Sequence, residues 1–183
     1  EQLSKVAPAK TIFATNSSTL LPSQFAQVTG RASQFLALHF ANTIWINNTA
    51  EIMGHAGTDK KVFDEVVAFA KEIGMVALPL HKEQPGYILN SLLVPLLNAA
   101  TDLLINDVAE VQTIDKTWMI ATGAPFGPFG ILDIVGINTA YNINAMQAAA
   151  TKNPSKIKTV EYLKTNFIDK NKLGVATGEG FYK

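Results

Sequence analysis

Apolar residues in the first 84 positions come in short runs separated by turn formers, and the runs have the length of strands. Residues 10–15 form one such run, followed by the polar turn Asn16-Ser17-Ser18-Thr19. Residues 21–26 read as a short helix with Pro22 accommodated in its first turn. Further β runs fall at 35–40, at 50–54 more weakly, and at 75–80. Between the last two, Thr58-Asp59 can cap a helix over 60–73, with apolar positions at Val62, Phe63, Val66, Val67, Phe69 and Ala70, and Gly74 ends it. The texture changes at Gln84-Pro85-Gly86. Beyond it the pattern is helical: a long helix over 87–106 with apolar pairs four residues apart, then helices over 114–121, 131–150 and 155–166. Pro95 removes one helical hydrogen bond from the first of these and should kink it. The tail after Gly174 predicts a turn and an aromatic anchor at Phe181-Tyr182. An α/β layer over 1–84 followed by an all-α domain over 85–183 is the expected architecture.

Composition narrows the function. Of 183 residues, 48% are hydrophobic and 16% charged, enough to bury a core and too apolar for a disordered chain. Fifteen acidic residues balance fifteen basic ones, and Arg31 is the only arginine. That argues against a nucleic-acid binder, which needs a basic field and bidentate arginines. With no cysteine there is no disulfide, no thiolate metal site and no cysteine nucleophile, and a reducing compartment such as the cytoplasm fits. Residues 84–101 carry no charge, but Pro85, Asn90, Ser91, Pro95 and Asn98 interrupt them, which favours a buried or interface helix over a membrane span.

Few residues offer chemistry. His39 ends a β run and Glu51 lies twelve residues later on another. If the strands are neighbours, the carboxylate orients the imidazole and steadies its charged form, as a general base needs. The spacing alone favours a core histidine with an unrelated glutamate, since such coincidences are common. Ser17, Ser18 and Thr19 follow a strand, where α/β proteins place ligand-binding groups and where ordinary turns also occur. Asn90 is a lone amide on an apolar helix, facing either a site or a helix contact. No His-Glu-x-x-His, P-loop, Gly-x-Gly-x-x-Gly or Gly-x-Ser-x-Gly pattern occurs, and His55 and His81 have no ligand spacing with His39, so no metal is expected.

Together these strings resemble the 3-hydroxyacyl-CoA dehydrogenase family, including bacterial 3-hydroxybutyryl-CoA dehydrogenases. The matching segments are Phe13-Ala-Thr-Asn16-Ser17-Ser18-Thr-Leu20, Leu38-His39-Phe40-Ala41-Asn42, Ala50-Glu51-Ile52, Pro85-Gly86-Tyr87-Ile88-Leu89-Asn90, and Gly127-Pro128-Phe129 with Leu132-Asp133 and Val135-Gly136. The ending Thr177-Gly178-Glu179-Gly180-Phe181-Tyr182 completes them in the family's order. The resemblance implies the C-terminal part of a Rossmann-type NAD-binding domain followed by an all-α substrate and dimerisation domain. It also implies NAD as cofactor, an acyl-CoA substrate and a homodimer formed by the helical domain. His39 would be the general base at the 3-hydroxyl, Glu51 its orienter, Ser18 a hydrogen bond to the substrate oxygen, and Asn90 a polariser of the reacting carbonyl. Asn16 and Asn42 would lie on the cofactor side.

The sequence departs from the family's pattern in places. The family's Gly-rich dinucleotide loop is not in it, and about a hundred residues of a typical member have no counterpart. The chain alone is therefore expected to bind NAD weakly and to be inactive. Thr43 stands where the family usually has Pro, Ser91 where it has Arg, and Ala176 where some members have Lys. Two alternatives remain: an isolated helical dimerisation module without activity, and a related hydroxyacid dehydrogenase. The latter commonly uses a catalytic Lys, and residues 85–95 contain none.

Overall fold

Alternation of side chains across a pleated sheet organises the first half of the chain. The computed structural model describes residues 2–183. Four strands, β1 (Phe13–Thr15), β2 (Phe35–Phe40), β3 (Thr49–Met53) and β4 (Val76–Pro79), form one sheet in the order β1-β2-β3-β4. β1 and β2 are parallel, β2 and β3 antiparallel, and β3 and β4 parallel. Helix α2 (Lys60–Glu72) connects β3 to β4, with the Asp59 carboxylate accepting from the Lys61 N–H as its cap. Leu36 and Leu38 of β2 and Ala50 and Ile52 of β3 pack on Val62, Val66 and Ala70 of α2. Their odd-numbered neighbours turn to the other face, where Ala37 and Met53 form a small cluster with Tyr87.

A five-residue helix, α1 (Gln2–Val6), precedes the sheet and is not predicted by the apolar pattern. Arg31 secures this region. Its guanidinium donates to the carbonyls of Ser4, Ala7, Pro8 and Thr11 and lies 4.6 Å from the centre of the Phe13 ring. The single arginine thus has a structural task. The short helix expected over 21–26 is one 3₁₀ turn, Pro22–Gln24, followed by two more, Gln27–Thr29 and Ala32–Gln34.

The remaining helices are α3 (Tyr87–Ile105), α4 (Val111–Thr122), α5 (Pro128–Val135), α6 (Ile137–Thr151) and α7 (Pro154–Asn166). The chain divides into two compact units, Glu1–Leu92 and Leu93–Lys183, so the division falls inside α3. Among the described residues α3 is the one helix long and apolar enough to cross a membrane by length and composition. It runs through Pro95 without interruption. The single helix expected over 131–150 is two helices, α5 and α6. Gly136 between them has φ +94°, a backbone conformation closed to most side chains, and it ends one helix and starts the next.

In the second unit Ala100, Ile114, Phe129, Leu132, Ile137, Ala140, Leu163 and Phe167 form the core, and Phe181 packs against it. Two buried carboxylates tie distant motifs together. Asp115 accepts from the N–H groups of Phe129 and Gly130 at the start of α5, at 2.9 and 3.0 Å, and from the Tyr182 hydroxyl at 3.0 Å. Asp133 accepts from the N–H groups of Phe181 and Tyr182 at 2.8 and 2.9 Å. A Cβ at Gly180 would fall inside the Asp133 carboxylate, so only glycine lets the tail come this close. Burial nevertheless holds the Asp133 carboxyl above the ordinary range, against the lowering effect of its two amide partners.

Candidate active site

The register of β2 and β3 sets the centre of the site. His39 and Glu51 are directly paired across the antiparallel ladder, on the face opposite α2, and are 5% and 4% exposed. His39 Nδ1 is 3.0 Å from Glu51 Oε2. An ionised carboxylate only accepts, so Nδ1 carries the proton and Nε2 presents a lone pair. Nε2 points to the Ser18 hydroxyl at 3.3 Å, in the turn after β1. This distance is long for a hydrogen bond, and Ser18 itself is exposed. The basic nitrogen therefore faces the open end of the site through a loosely held hydroxyl.

Glu51 has a second task. Its other oxygen, Oε1, accepts from the N–H groups of Ile88 and Leu89 at 2.9 and 3.0 Å, in the first turn of α3. Those amides have no partner inside the helix, and the helix N-terminus favours negative charge. One buried carboxylate thus caps α3 and orients His39.

Tyr87, the first residue of α3, is fully buried and stacks on His39, with ring centres 4.4 Å apart and planes at 16°. Its hydroxyl donates to the Ser17 carbonyl at 2.8 Å. Burial, and next the Glu51 charge, push the phenol up to about 12. Sequence reasoning places Tyr87 in a motif but gives it no role. An aromatic residue directly after Pro85-Gly86 at a helix start is the available signal.

The other expected site residues are less engaged. Asn16 Oδ1 accepts from the Phe40 N–H at 3.0 Å and so binds the end of β1 to β2. The Asn42 backbone carbonyl accepts from Asn47, while the Asn42 side chain is exposed and has no hydrogen-bond partner among the described residues. The Asn90 amide is half-buried, one turn into α3, and also has no such partner. Neither amide is hydrogen-bonded to His39, whose side-chain partners are Glu51 and Ser18.

A cavity of about 520 Å³ in the first unit is lined by His55, Thr58, Lys60, Phe63, His81 and Lys82 among others, and none of Asn16, Ser18, His39, Asn42, Glu51 and Asn90 lines it. No group of three or more metal-ligating side chains occurs among the described residues.

The family model "3-hydroxyacyl-CoA dehydrogenase, NAD binding domain" matches residues 1–84, and "3-hydroxyacyl-CoA dehydrogenase, C-terminal domain" matches residues 86–183. The human mitochondrial hydroxyacyl-coenzyme A dehydrogenase is 35% identical over 100% of this chain, which spans 58% of that protein's length. A diketoreductase structure, described for dual catalysis of dicarbonyl compounds, is 60% identical with a TM-score of 0.90, over 100% of this chain and 62% of that one. The (S)-3-hydroxybutyryl-CoA dehydrogenase of Ralstonia eutropha is 25% identical with a TM-score of 0.84, over 99% of this chain and 63% of its own. With one family's NAD-binding and C-terminal models matched in succession, this chain belongs to the 3-hydroxyacyl-CoA dehydrogenase family.

Proposed function

We propose that the whole protein interconverts 3-hydroxyacyl-CoA and 3-oxoacyl-CoA with NAD as the hydride carrier. The observation that carries this reading is the chain of contacts from Glu51 through His39 to Ser18. In the oxidative direction His39 Nε2 takes the 3-hydroxyl proton, and Glu51 stabilises the imidazolium that results. Ser18 holds the substrate oxygen beside Nε2, and Asn90 polarises the reacting carbonyl. In reduction the same nitrogen returns the proton. NAD, when bound, supplies the acceptor for the C3 hydride. Asn42, exposed just beyond β2, would face its nicotinamide end, its unpaired amide offering a donor and an acceptor. Asn16 is proposed for the cofactor side through its amide nitrogen, its oxygen being engaged with Phe40.

The chain carries the C-terminal part of the NAD-binding domain on this reading, with the functional division at 84/85. The pyrophosphate grip then lies outside this sequence, which has no Gly-x-Gly-x-x-Gly. Stoichiometric NADH binding by the 183-residue chain, as tight as in the whole protein, would overturn this part. A homodimer through residues 85–183 belongs to the same proposal and is checked by light scattering of the whole protein. The cytoplasm is the proposed compartment.

A second reading is reduction of dicarbonyl compounds that are not CoA thioesters. The 60% identity to a diketoreductase favours it. So do Ser91 and Ala176, neutral where the resemblance places cations, since a CoA substrate brings phosphates to be neutralised. Both readings share one reacting unit, a carbonyl β to a second carbonyl. The test monitors NADH absorbance in the full-length protein with acetoacetyl-CoA and a simple β-keto ester side by side. A large preference for the thioester supports the first reading, and the reverse supports the second. H39Q should lower turnover on either substrate by roughly a hundredfold or more with the fold intact. Near-normal turnover would remove His39 as the base.

A further inference from the structure

A histidine held through Cβ and at its two nitrogens keeps small excursions in χ1 and χ2, which change the ring's tilt and which hydrogen bonds of ordinary length resist only weakly. In this protein the third constraint is a ring face. Tyr87 lies almost parallel to His39, 4.4 Å between centres. Its backbone is at φ +55°, a conformation costly for a bulky side chain and retained only where the surroundings impose it. Gly86 before it is also left-handed, at φ +82°, and together they turn the chain so that the ring enters the sheet face beside Ala37 and Met53. Filling that space requires only an apolar ring. The hydroxyl adds something else: it donates to the Ser17 carbonyl, one residue before the serine that meets His39 Nε2.

We propose that Tyr87 is the positioning residue of this site, its ring fixing the tilt of the His39 imidazole and its hydroxyl, through Ser17, holding the Ser18 hydroxyl on Nε2. The same helical turn carries the Ile88 and Leu89 amides that bind Glu51. The start of α3 therefore reaches His39 by three routes: ring face, Ser17–Ser18 turn and Glu51 carboxylate. The phenol stays neutral at any working pH, since it titrates near 12, and so remains a donor to Ser17 throughout. No charge change of Tyr87 enters the chemistry. It acts by geometry alone, and that sets the form of its signature.

This inference rests on His39 being the base, and the test separates the two. In the full-length protein Y87F keeps the stack and loses the tie. Its kcat should fall roughly three- to tenfold, the worth of one hydrogen bond, with KM nearly unchanged. Because the hydroxyl acts through Ser18, S18A/Y87F should be no slower than S18A alone. Y87L loses the ring face and should fall further, by roughly ten- to a hundredfold in kcat. The downfield N–H proton resonance of His39 against Glu51, identified by its loss in H39Q, should persist in Y87F and broaden in Y87L. That resonance reports ring order whether or not the enzyme turns over. Wild-type kcat in Y87L, or additive losses in S18A/Y87F, would overturn the role of Tyr87. An active H39Q would instead overturn the reading of His39. Should Y87L fail to fold, Y87F and the double variant decide the matter alone.

Discussion

At the scale of the residue, Glu51 does the most with the fewest atoms. Each oxygen of its buried carboxylate has a different client, the imidazole on one side and two helix amides on the other. Substitution to Gln separates these tasks. A side-chain amide can still accept from Ile88 and Leu89 through its oxygen, but it then turns an NH₂ toward Nδ1, donor against donor. Either the imidazole changes tautomer, which takes the lone pair away from Ser18, or the helix cap is lost. E51Q in the full-length protein should therefore cost at least a hundredfold in kcat while the thermal midpoint falls by only a few degrees. Full activity with a collapsed midpoint would make Glu51 a cap and nothing more. The Tyr87 phenol gives a separate prediction in pH. Its native value, about 12, lies above the ordinary 10.0, so the native state holds the proton more tightly than the unfolded chain does. The associated stability is fully present below pH 10 and is lost as pH rises toward 12. Y87F lacks this term, so its stability should fall less steeply over that window in urea titrations. Tyr182, also raised by burial and by Asp115, contributes a similar decline that Y87F leaves in place.

At the scale of the element, periodicity carries the reading a long way, and its failures have causes. β2 is expected over residues 35–40 and is Phe35–Phe40, because its run is apolar and bounded by turn chemistry. α2 is legible from its cap and stripe. The unbroken helix over 131–150 is not there, because apolar spacing continues across Gly136 while the backbone does not. At the break the Ile137 N–H is taken by the Leu173 carbonyl, at 3.2 Å, just before the tail that Asp133 holds. The two motifs at 127–136 and 177–182 stand apart in the sequence as separate family marks, and they are two halves of one clamp. In the site, spacing leaves His39, Glu51 and Ser18 as separate candidates, only the family resemblance makes them legible as a set, and they meet as one. Tyr87 and the amides of Ile88 and Leu89 are not, because a stacked ring and a backbone donor leave no mark in residue spacing. The clamp makes its own prediction. D133A leaves the part-buried amides of Phe181 and Tyr182 unpaired and opens a hole under Gly180, and should cost about 1–3 kcal/mol by denaturant unfolding. Loss of the Phe181 contact with Phe129 and Phe167, now at 4.7 and 4.3 Å between centres, should accompany it. An unchanged midpoint would mean that the aromatic anchor holds the tail without the carboxylate.

At the scale of the whole molecule, two divisions of the chain disagree by a few residues, and the disagreement bears on function. Family models meet at residues 84 and 86, where the sequence changes texture. The compact units meet at Leu92 and Leu93. The difference is the first turn and a half of α3, which holds Tyr87 and the two amides bound by Glu51. By geometry these residues belong to the sheet, although the helix they begin belongs by family pattern to the C-terminal domain. A first unit cut at residue 84 would keep His39, Glu51 and Ser18 in sequence and lose the groups that order them. Its Glu51 carboxylate would give up two of its three partners, and the sheet face would lose the fully buried Tyr87 ring. Removing a large buried aromatic and unpairing a buried charge each costs about 3 kcal/mol or more. A version ending at residue 84 should therefore unfold at much lower urea than one ending at residue 105, the end of α3, and should lack the downfield His39 resonance. Equal midpoints, with the resonance present in both, would show that the sheet orders its own histidine and that the helix start is a passenger. The expected result would mean that the His39–Glu51 pair is ordered only when the chain has passed the boundary its family pattern suggests, and that the first turns of α3 fold with the sheet.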